Sequence, residues 1–397
     1  MADFPLWHSK RQQPRTRKGR FIGCMLGGAV GDALGAPVEF MSRAEILAHF
    51  GPQGITRYAP AYDGLGTITD DTQMSLFTAE GLLRAHVRSC FRGGCHTPSV
   101  VSHAYLRWLL TQGECSAKKS DKMGDGWLFQ QRALHYRRAP GNTCLSALKA
   151  MKAFGDHACN NSKGCGGVMR MAPVGLMTWH KEGCRNAVEA FLLGTELAAY
   201  THGHPSGALT GGVLAVLVLA LVDGASLQNA LAAAKTLLQA IATGNGVSDY
   251  YKGTRAVCRR QDAHKETLRT IEMAEALAAL PMPPHEAIAK LGQGWVAEEA
   301  LAISIYCALV ARTFRQGVIL AVNHDGDSDS TGSITGNLLG AMYSVRAIPT
   351  AWLEPLELRE VITEIAEDLY AWRDWDIGEY KEDIELSRRI WEKYPGW

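Results

Sequence analysis

Residues 23–40 read GCMLGGAVGDALGAPVEF, and glycines recur in this stretch at intervals of four. Residues four apart lie on the same face of an α-helix, so the spacing predicts a helix with one smooth face for close packing. The stretch is neither a P-loop nor a dinucleotide-binding fingerprint, because no Gly-Lys-Ser/Thr follows it and no strand precedes it. The packing helix leaves Asp32 and Glu39 as its notable charges, and packing does not explain Glu39 beyond surface exposure. The four glycines are Gly23, Gly27, Gly31 and Gly35.

Helical spacing continues along most of the chain. Apolar residues recur at three- and four-residue intervals in many segments, and no segment shows sustained alternation of apolar and polar residues. The pattern has no fixed-period repeat and no long linker, so it predicts an all-α fold with one compact domain over residues 20–397. The helical segments are 72–87, 99–112, 145–154, 183–200, 208–223, 226–242, 266–280, 296–311, 329–346, 357–372 and 379–393.

Composition narrows the class of protein. The 397 residues are enough to bury a large core, and the net charge of +1 gives no reason to expect nucleic acid or an anionic membrane as a partner. The ten cysteines show no CxxC pair and no zinc-ligand spacing, which indicates reduced thiols in the cytoplasm. The most apolar stretch, 208–223, is too short to span a bilayer comfortably, so it is predicted to be a buried core helix.

Residues 1–19 differ from the remainder of the chain. They are rich in Lys and Arg, carry a small apolar cluster at Phe4, Leu6 and Trp7, and show no periodicity. No signal peptide is expected, because the polar and basic start has no apolar core. The segment is predicted to be a basic N-terminal arm that orders only if it docks onto something, and a plain flexible terminus is the alternative.

Residues 323–336 read NHDGDSDSTGSITG and crowd three carboxylates into five positions. One Asp would suffice to cap a helix, whereas three repel one another, so a bound cation is predicted. An EF-hand loop would need Gly and Glu where this chain has Ser330 and Gly336, so that template fails. A phosphatase-type DxD nucleophile is the fairer alternative because an apolar run precedes the motif, but it requires a parallel sheet. The three carboxylates are Asp325, Asp327 and Asp329.

A second oxygen-rich helix start lies at residues 66–74, GTITDDTQM. A well-capped helix would explain this stretch taken alone. If the two starts face each other, however, they supply an all-oxygen shell without His or Cys, which suits Mg²⁺ or Mn²⁺ and not zinc. Four carboxylates would balance two divalent ions. The polar residues of this second start are Thr69, Asp70, Asp71 and Thr72.

Two further motifs could contact a ligand. Residues 161–173, NSKGCGGVMRMAP, would let backbone N–H groups converge on an anion before a helix that starts near Met169, although a plain Gly-rich turn explains them equally. The stretch THGHPSG carries His202 and His204. These histidines are open to interpretation as metal ligands, or as capping or substrate-contact residues.

Taken together and in this order, these stretches resemble the ADP-ribosylglycohydrolase family, which includes dinitrogenase-reductase-activating glycohydrolase and the ADP-ribosylarginine hydrolases. The resemblance covers about residue 20 to about residue 372 and rests on GDALGAPVEF, TDDTQM, SKGCGGVMRMAP, TH and GDSDSTG. It implies an all-α fold with a binuclear centre of two Mg²⁺ or Mn²⁺ ions at the bottom of a cleft.

The resemblance also implies roles for individual residues. Glu39 matches a glutamate implicated in substrate binding or proton handling, and Asp329 matches the bridge between the ions, so these two are the candidate catalytic residues. Asp325 has no counterpart among the metal ligands of the family and is expected to lie next to the ligands without binding the metal. The implied metal ligands are Thr69, Asp70, Asp71, Asp327, Asp329 and Ser330. The implied substrate-binding residues are Ser162, Lys163, Gly164, Cys165 and Gly166 for the diphosphate, His202 for the cleft wall, and Gly294 and Trp295 for the adenosine end. Cys165 replaces an Asn found in some members of the family.

The activity implied by the resemblance is metal-dependent cleavage of the bond between ribose C1 and a side chain of an ADP-ribosylated protein, through an oxocarbenium-like state. Ser330, where serine-linkage hydrolases tend to carry Thr, favours arginine-linked ADP-ribose. Some bacterial members are immunity proteins whose N-terminal extension blocks an ADP-ribosyltransferase toxin, so residues 1–19 are predicted to bind such a toxin. Two alternatives stay open: an ADP-ribose-binding protein without hydrolysis, and a hydrolase of a small ADP-ribosyl compound.

Overall fold

The structure is a computed structural model that describes residues 14–117, 124–180, 186–241 and 247–396. Within these ranges the fold is all-α, as predicted, and the only β-type pairing consists of isolated bridges such as the one between Gly164 and Val296. The α-helices are, in chain order, α1 (Pro14–Gly35), α2 (Arg43–Phe50), α3 (Asp70–Arg92), α4 (Thr97–Thr111), α5 (Asn142–Ala150), α6 (Ala172–Met177), α7 (Ala187–Ala199), α8 (Pro205–Asp223), α9 (Leu227–Ile241), α10 (Lys252–Cys258), α11 (Lys265–Ala278), α12 (Pro284–Leu291), α13 (Ala297–Val310), α14 (Phe314–Val322), α15 (Ser328–Tyr343), α16 (Thr350–Leu353), α17 (Arg359–Ala371) and α18 (Ile384–Lys393).

Helices α1 and α15 pack backbone against backbone along the glycine face predicted for α1. A Cβ on Gly31 would lie 1.9 Å from the carbonyl oxygen of Gly332, and a Cβ on Gly340 would lie 1.8 Å from the carbonyl oxygen of Gly23. No side chain larger than hydrogen fits at these distances, so glycines on both helices are required for the contact. The predicted close-packing face of α1 is therefore confirmed.

Helix α8 is the core helix predicted for residues 208–223. All of its 19 residues are buried. It begins at Pro205, slightly before the predicted segment, because Nδ1 of His204 accepts the backbone N–H of Ser206 at 3.2 Å and caps the helix. By length and composition alone, residues 17–38 and Pro205–Asp223 are long and apolar enough to cross a membrane, but 89% and 100% of their apolar windows are buried inside the protein.

The structure differs from the sequence prediction at the start of the chain. Helix α1 begins at Pro14, so the last residues of the segment predicted as an arm are helical. Arg17 in this first part of α1 lies 5.0 Å from the centre of the Trp179 ring and 3.8 Å from a carboxylate oxygen of Asp223. The remainder of the predicted arm, residues 1–13, lies outside the described residues.

One alternative is excluded and one local prediction is corrected. The apolar run before the acidic motif belongs to helix α14 and not to a strand, so the described part of the chain offers no parallel sheet for a DxD nucleophile. The helix expected from Met169 begins instead at Ala172, with Pro173 in its first turn. The Gly-rich stretch before this helix contains a short 3₁₀ turn, Cys165–Gly167.

Candidate active-site cleft

The two acidic motifs meet where α3 and α15 begin. The hydroxyl of Ser330 donates to Oδ2 of Asp71 at 3.2 Å, a contact between residues 259 positions apart. Asp327 caps α15 by accepting the N–H of Ser330 at 3.3 Å, and Thr69 caps α3 by accepting the N–H of Asp71 at 3.4 Å. Two helix N-termini, each with the positive end of its dipole, therefore converge on one cleft and favour negative charge there.

The glycine face of α1 brings the start of α15 next to the end of α1. A Cβ on Gly35 would lie 2.3 Å from the carbonyl oxygen of Ser328 and 2.5 Å from the amide nitrogen of Asp329. The packing that α1 requires thus also sets the depth at which Asp329 enters the cleft.

Asp32 on α1 holds the start of α3. Its carboxylate is fully buried and accepts the N–H of Thr69 at 3.1 Å, the Thr69 hydroxyl at 2.8 Å and the N–H of Thr72 at 3.1 Å, together with the Thr72 hydroxyl. Burial raises the pKa of Asp32 to about 7 and the charge of Asp329 adds to the rise, while the threonine hydrogen bonds oppose it. Because Thr69 gives its hydroxyl proton to Asp32, a lone pair of that hydroxyl is left for a cation. In the sequence, Asp32 stands out only as a charge on the glycine-rich helix, and no motif gives it a role.

Six buried carboxylates gather around this point, and none of the residues that carry them is more than 7% exposed. The pKa values of Asp70, Asp71 and Asp327 are raised well above the usual range. Burial is the largest cause, and the charge of Asp329 is the second. The same two causes raise the pKa of Glu39 to about 10, because Glu39 is buried in the cluster and not exposed at the surface. Like charges buried together need protons or cations to compensate them. The six are Asp32, Glu39, Asp70, Asp71, Asp327 and Asp329.

The donor set fits divalent cations. Oδ1 of Asp71 and Oε2 of Glu39 are buried and have no hydrogen-bond partner among the described residues, and no described Lys or Arg lines the cleft. Unpartnered carboxylate oxygens with neighbouring hydroxyls are ligands that Mg²⁺ and Mn²⁺ prefer. In the side-chain conformations of this structure, no three or more His, Cys, Asp or Glu residues among those described are arranged to coordinate a metal ion. They bond one another instead, as when the Cys165 thiol donates to Oδ2 of Asp327 at 2.8 Å.

The cleft has a volume of about 200 Å³, with the carboxylates as its floor. One wall is the Gly-rich turn with His202 behind it, and the rim carries Trp295. The Trp295 ring stacks on Phe40 with the ring centres 5.9 Å apart and the planes 18° from parallel. Phe40 is 73% exposed and Trp295 39%, so the pair presents apolar surface at the cleft mouth.

Most residues predicted to bind substrate lie on this cleft, which Gly164, Cys165, Gly166, His202 and Trp295 line. Gly294 has a φ of 85° next to Trp295, and a Cβ there would lie 3.4 Å from the Cβ of Asp327. Ser162 shapes the turn from outside the lining, since its hydroxyl accepts the N–H of Gly164 at 3.3 Å.

Three further residues from the Gly-rich, histidine and acidic motifs do not line the cleft. The ammonium of Lys163 is held by Glu266 at 2.7 Å and by Glu298, and Lys163 is not among the residues that line the cleft. His204 caps α8, which agrees with the capping interpretation. Asp325 is exposed and accepts the N–H of Arg43 at 2.8 Å at the start of α2.

Comparison with known proteins agrees with this architecture. Residues 13–377 match the model of the ADP-ribosylglycohydrolase family. The chain is 26% identical to the ADP-ribosyl-[dinitrogen reductase] glycohydrolase of Rhodospirillum rubrum, over 86% of this chain and 91% of the relative. It is 22% identical to the ADP-ribosylarginine hydrolase Tri1 of Serratia proteamaculans, over 88% of this chain and 78% of the relative. A solved structure described as an "ADP-ribosylglycohydrolase-related protein complex" superposes with a TM-score of 0.61 at 27% identity, over 90% of this chain and 98% of that chain.

The helical fold, the buried acidic cleft and these matches define the class of protein as a glycohydrolase. The chain belongs to the ADP-ribosylglycohydrolase family. The family removes ADP-ribose, so the protein is an enzyme that hydrolyses ADP-ribosylated substrates.

Proposed function

We propose that this protein is a metal-dependent hydrolase that removes ADP-ribose from arginine side chains of modified proteins. The observation that carries the proposal is the meeting of the two helix starts at Asp71 and Ser330, with buried carboxylate oxygens left without partners beside them. The arginine linkage is supported by Ser330 in its motif and by the ADP-ribosylarginine hydrolase among the relatives.

The proposed ligand set for two Mg²⁺ or Mn²⁺ ions is the one implied by the motifs. Asp329 is the proposed bridge, which is supported by its charge acting on the pKa of most carboxylates in the cluster. Divalent cations held here would orient the ribose hydroxyls and make a nearby water more acidic. The proposed ligands are Thr69, Asp70, Asp71, Asp327, Asp329 and Ser330.

Glu39 is the proposed group that takes the proton of the attacking water. Its carboxyl lines the cleft, and Oε2 is free to accept. With a pKa of about 10 in the bare cluster, Glu39 would hold a proton at neutral pH. Positive charge on the cleft floor is therefore needed to ionise it, which couples the base to metal binding. The C1–N bond breaks as the glycosidic nitrogen gains a proton, which balances the one that the water loses, so arginine leaves as its guanidinium.

The proposal is tested by the release of labelled ADP-ribose from an arginine-modified protein, with Mg²⁺ and with a chelator. Release that requires Mg²⁺ is expected, and a serine-modified protein should release little under the same conditions. Equal release from both proteins would contradict the arginine specificity. Binding of ADP-ribosylated protein without release would favour an ADP-ribose-binding protein that does not hydrolyse. Release only from small ADP-ribosyl compounds would favour a hydrolase of such compounds.

An immunity role with a toxin partner stays a prediction, because it rests on residues 1–19, most of which lie outside the described residues. Removing residues 2–13 would leave α1 intact, since α1 begins at Pro14. We expect the shortened protein to lose binding to its ADP-ribosyltransferase while keeping hydrolysis, and unchanged binding would contradict the role. A cytoplasmic location is part of this proposal, and the cysteines that the structure describes are free thiols.

A further inference from the structure

Arg170 is a buried guanidinium behind the cleft. It is 0% exposed, and one of its N–H groups donates to the hydroxyl of Thr201 at 2.6 Å. Its other contacts are long or are made to weak acceptors: the carbonyl of Leu197 at 3.4 Å, the sulfurs of Met74 at 3.3 Å and Cys144 at 3.4 Å, and the Tyr105 ring at 4.4 Å from its centre. Within the described ranges no carboxylate forms an ion pair with Arg170. Burying a charge without a counter-ion costs folding free energy, so a functional role for Arg170 would explain why it is buried here.

The strongest contact of Arg170 leads to His202. The Thr201 hydroxyl oxygen, which accepts from Arg170, lies 2.8 Å from Nδ1 of His202. The other acceptors within its reach are the Cys144 sulfur, which is a weak acceptor, and the carbonyl of Ala198 at 3.4 Å. That carbonyl already accepts the N–H of Thr201 at 3.1 Å and the N–H of His202 at 3.0 Å. A carbonyl oxygen has two lone pairs, and both are engaged. The Thr201 hydroxyl proton therefore goes to Nδ1, and the ring proton of a neutral His202 is on Nε2.

The guanidinium reinforces this assignment. An N–H of Arg170 already points at the Thr201 oxygen, so a second N–H from the imidazole at the same oxygen would place two positive hydrogens together. Burial, with the charge of Arg170 second, lowers the pKa of His202 to about 3, so the ring is neutral at physiological pH.

Nε2 of His202 is the ring nitrogen that is available to a ligand in the cleft. It would lie 3.3 Å from a Cβ on Gly164 in the Gly-rich turn, and it has no hydrogen-bond partner among the described residues. No described Lys or Arg lines the cleft, so an anionic group that enters meets few side-chain donors. A neutral N–H backed by a buried cation suits such a group, because it donates without the desolvation cost of a second buried charge.

We infer that Arg170 is a positioning residue that acts through Thr201 to hold His202 as the neutral Nε2–H tautomer, whose N–H donates to an anionic oxygen of the ADP-ribosyl group. The identity of that anion rests on the proposed function. The tautomer does not, because it is a property of the protein without substrate.

The tautomer is measured in two-bond ¹H–¹⁵N correlation spectra of the full chain with ¹⁵N-labelled histidine, where His202 is assigned by the signal lost in His202→Gln. The wild type is expected to show only the Nε2–H form at neutral pH. Thr201→Val removes the hydroxyl and should give a mixture of the two tautomers. Thr210→Val is the matched control, because the buried Thr210 hydroxyl donates only to the carbonyl of Ser206 in its own helix, at 2.7 Å. A wild-type His202 with its proton on Nδ1, or an unchanged spectrum in Thr201→Val, would overturn the inference.

A second readout is the binding of ADP-ribose, measured by calorimetry. Thr201→Val should bind about tenfold more weakly than Thr210→Val, as expected for a misdirected hydrogen bond to a charged group. Equal binding by the two variants would overturn the assigned role of the N–H. If the wild type shows the Nε2–H form but does not bind ADP-ribose, the proposed function fails and the positioning by Arg170 stands. Arg170→Lys keeps the charge but loses the planar fork, and it is expected to lie between wild type and Thr201→Val in both readouts.

Discussion

The hydroxyl of Ser330 donates to Oδ2 of Asp71 across 3.2 Å, and this bond joins the start of α15 to the start of α3. Taken singly, each residue is part of an ordinary helix cap. Together they put two oxygen-rich helix starts in one cleft, where Oδ1 of Asp71 is left without a partner. The bond also identifies what a cation would displace, since both oxygens belong to the proposed ligand set.

Asp32 should control metal affinity without being a ligand. Asp32→Asn replaces one of the two oxygens that accept from Thr69 and Thr72 by an NH₂ group, which cannot accept from their N–H groups, so the start of α3 is misplaced. Groups that orient metal ligands typically change affinity by about 10–100-fold, and we expect a loss of this size for Mn²⁺ by calorimetry. Asp325→Asn, on an exposed residue of the acidic motif, is the control and should bind as wild type does. Equal affinity in all three proteins would refute the role of Asp32.

The glycine contact between α1 and α15 should be intolerant of a methyl group. In Gly31→Ala the Cβ would lie 1.9 Å from a backbone oxygen that cannot move freely, and we expect the free energy of unfolding to fall by about 2–3 kcal/mol. Gly19→Ala in the same helix is the control, because its nearest atom would be the side-chain oxygen of Ser344 at 3.1 Å and alanine favours a helix. Urea denaturation measures both, and equal stabilities would contradict the packing argument.

Stabilisation by Mg²⁺ should grow with pH. Carboxyl groups whose pKa is raised on folding, to about 7 for Asp32 and about 10 for Glu39, bind more protons in the folded state than in the unfolded state. The metal-free protein is therefore most stable below about pH 4 with respect to these groups, and it loses that stability as the pH rises toward their folded values. Cations compete with these protons, so the rise in Tm between chelator and Mg²⁺ should be larger at about pH 8.5 than at about pH 6. A rise that is equal or larger at the lower pH would contradict the cluster as the binding site.

Trp295 should contribute to substrate affinity more than to the chemical step. It forms the rim with Phe40, and an aromatic face of this kind stacks on a base with about 1–3 kcal/mol. Trp295→Ala is expected to raise KM about tenfold with little change in kcat, in steady-state release of ADP-ribose. Tyr380→Ala removes an aromatic that is 96% exposed and outside the cleft lining, and it should leave both constants unchanged. A fall in kcat without a change in KM would count against this role.

The long helices were predictable because their apolar faces repeat along many residues, as in α3 and α8. The short helix α14 was not, since its apolar run VILAV has the composition of a strand and only the surrounding helices decide its conformation. The glycine face of α1 was predictable from spacing alone. Its partner glycines on α15 lie some 300 residues away, and their alignment with the α1 glycines was not predictable.

The floor of the cleft was predictable in part. Two oxygen-rich helix starts indicated a shared cation site, and the structure brings Asp71 and Ser330 together. Asp32 gave no local signal, because the N–H groups that bury it come from Thr69 and Thr72 on another helix. The ion pairs of Lys163 gave no local signal for the same reason, since the carboxylates that hold its ammonium belong to α11 and α13.

The proposed hydrolytic metal centre requires both acidic helix starts. The direct measurement is the release of ADP-ribose from arginine-modified protein, taken together with the bound Mn²⁺ per chain, for wild type, Asp329→Asn and Asp325→Asn. We predict about two ions and rapid release for wild type and Asp325→Asn, with loss of at least one ion and about 100-fold or more of the rate for Asp329→Asn. Release and metal content in Asp329→Asn equal to those of wild type would contradict the account.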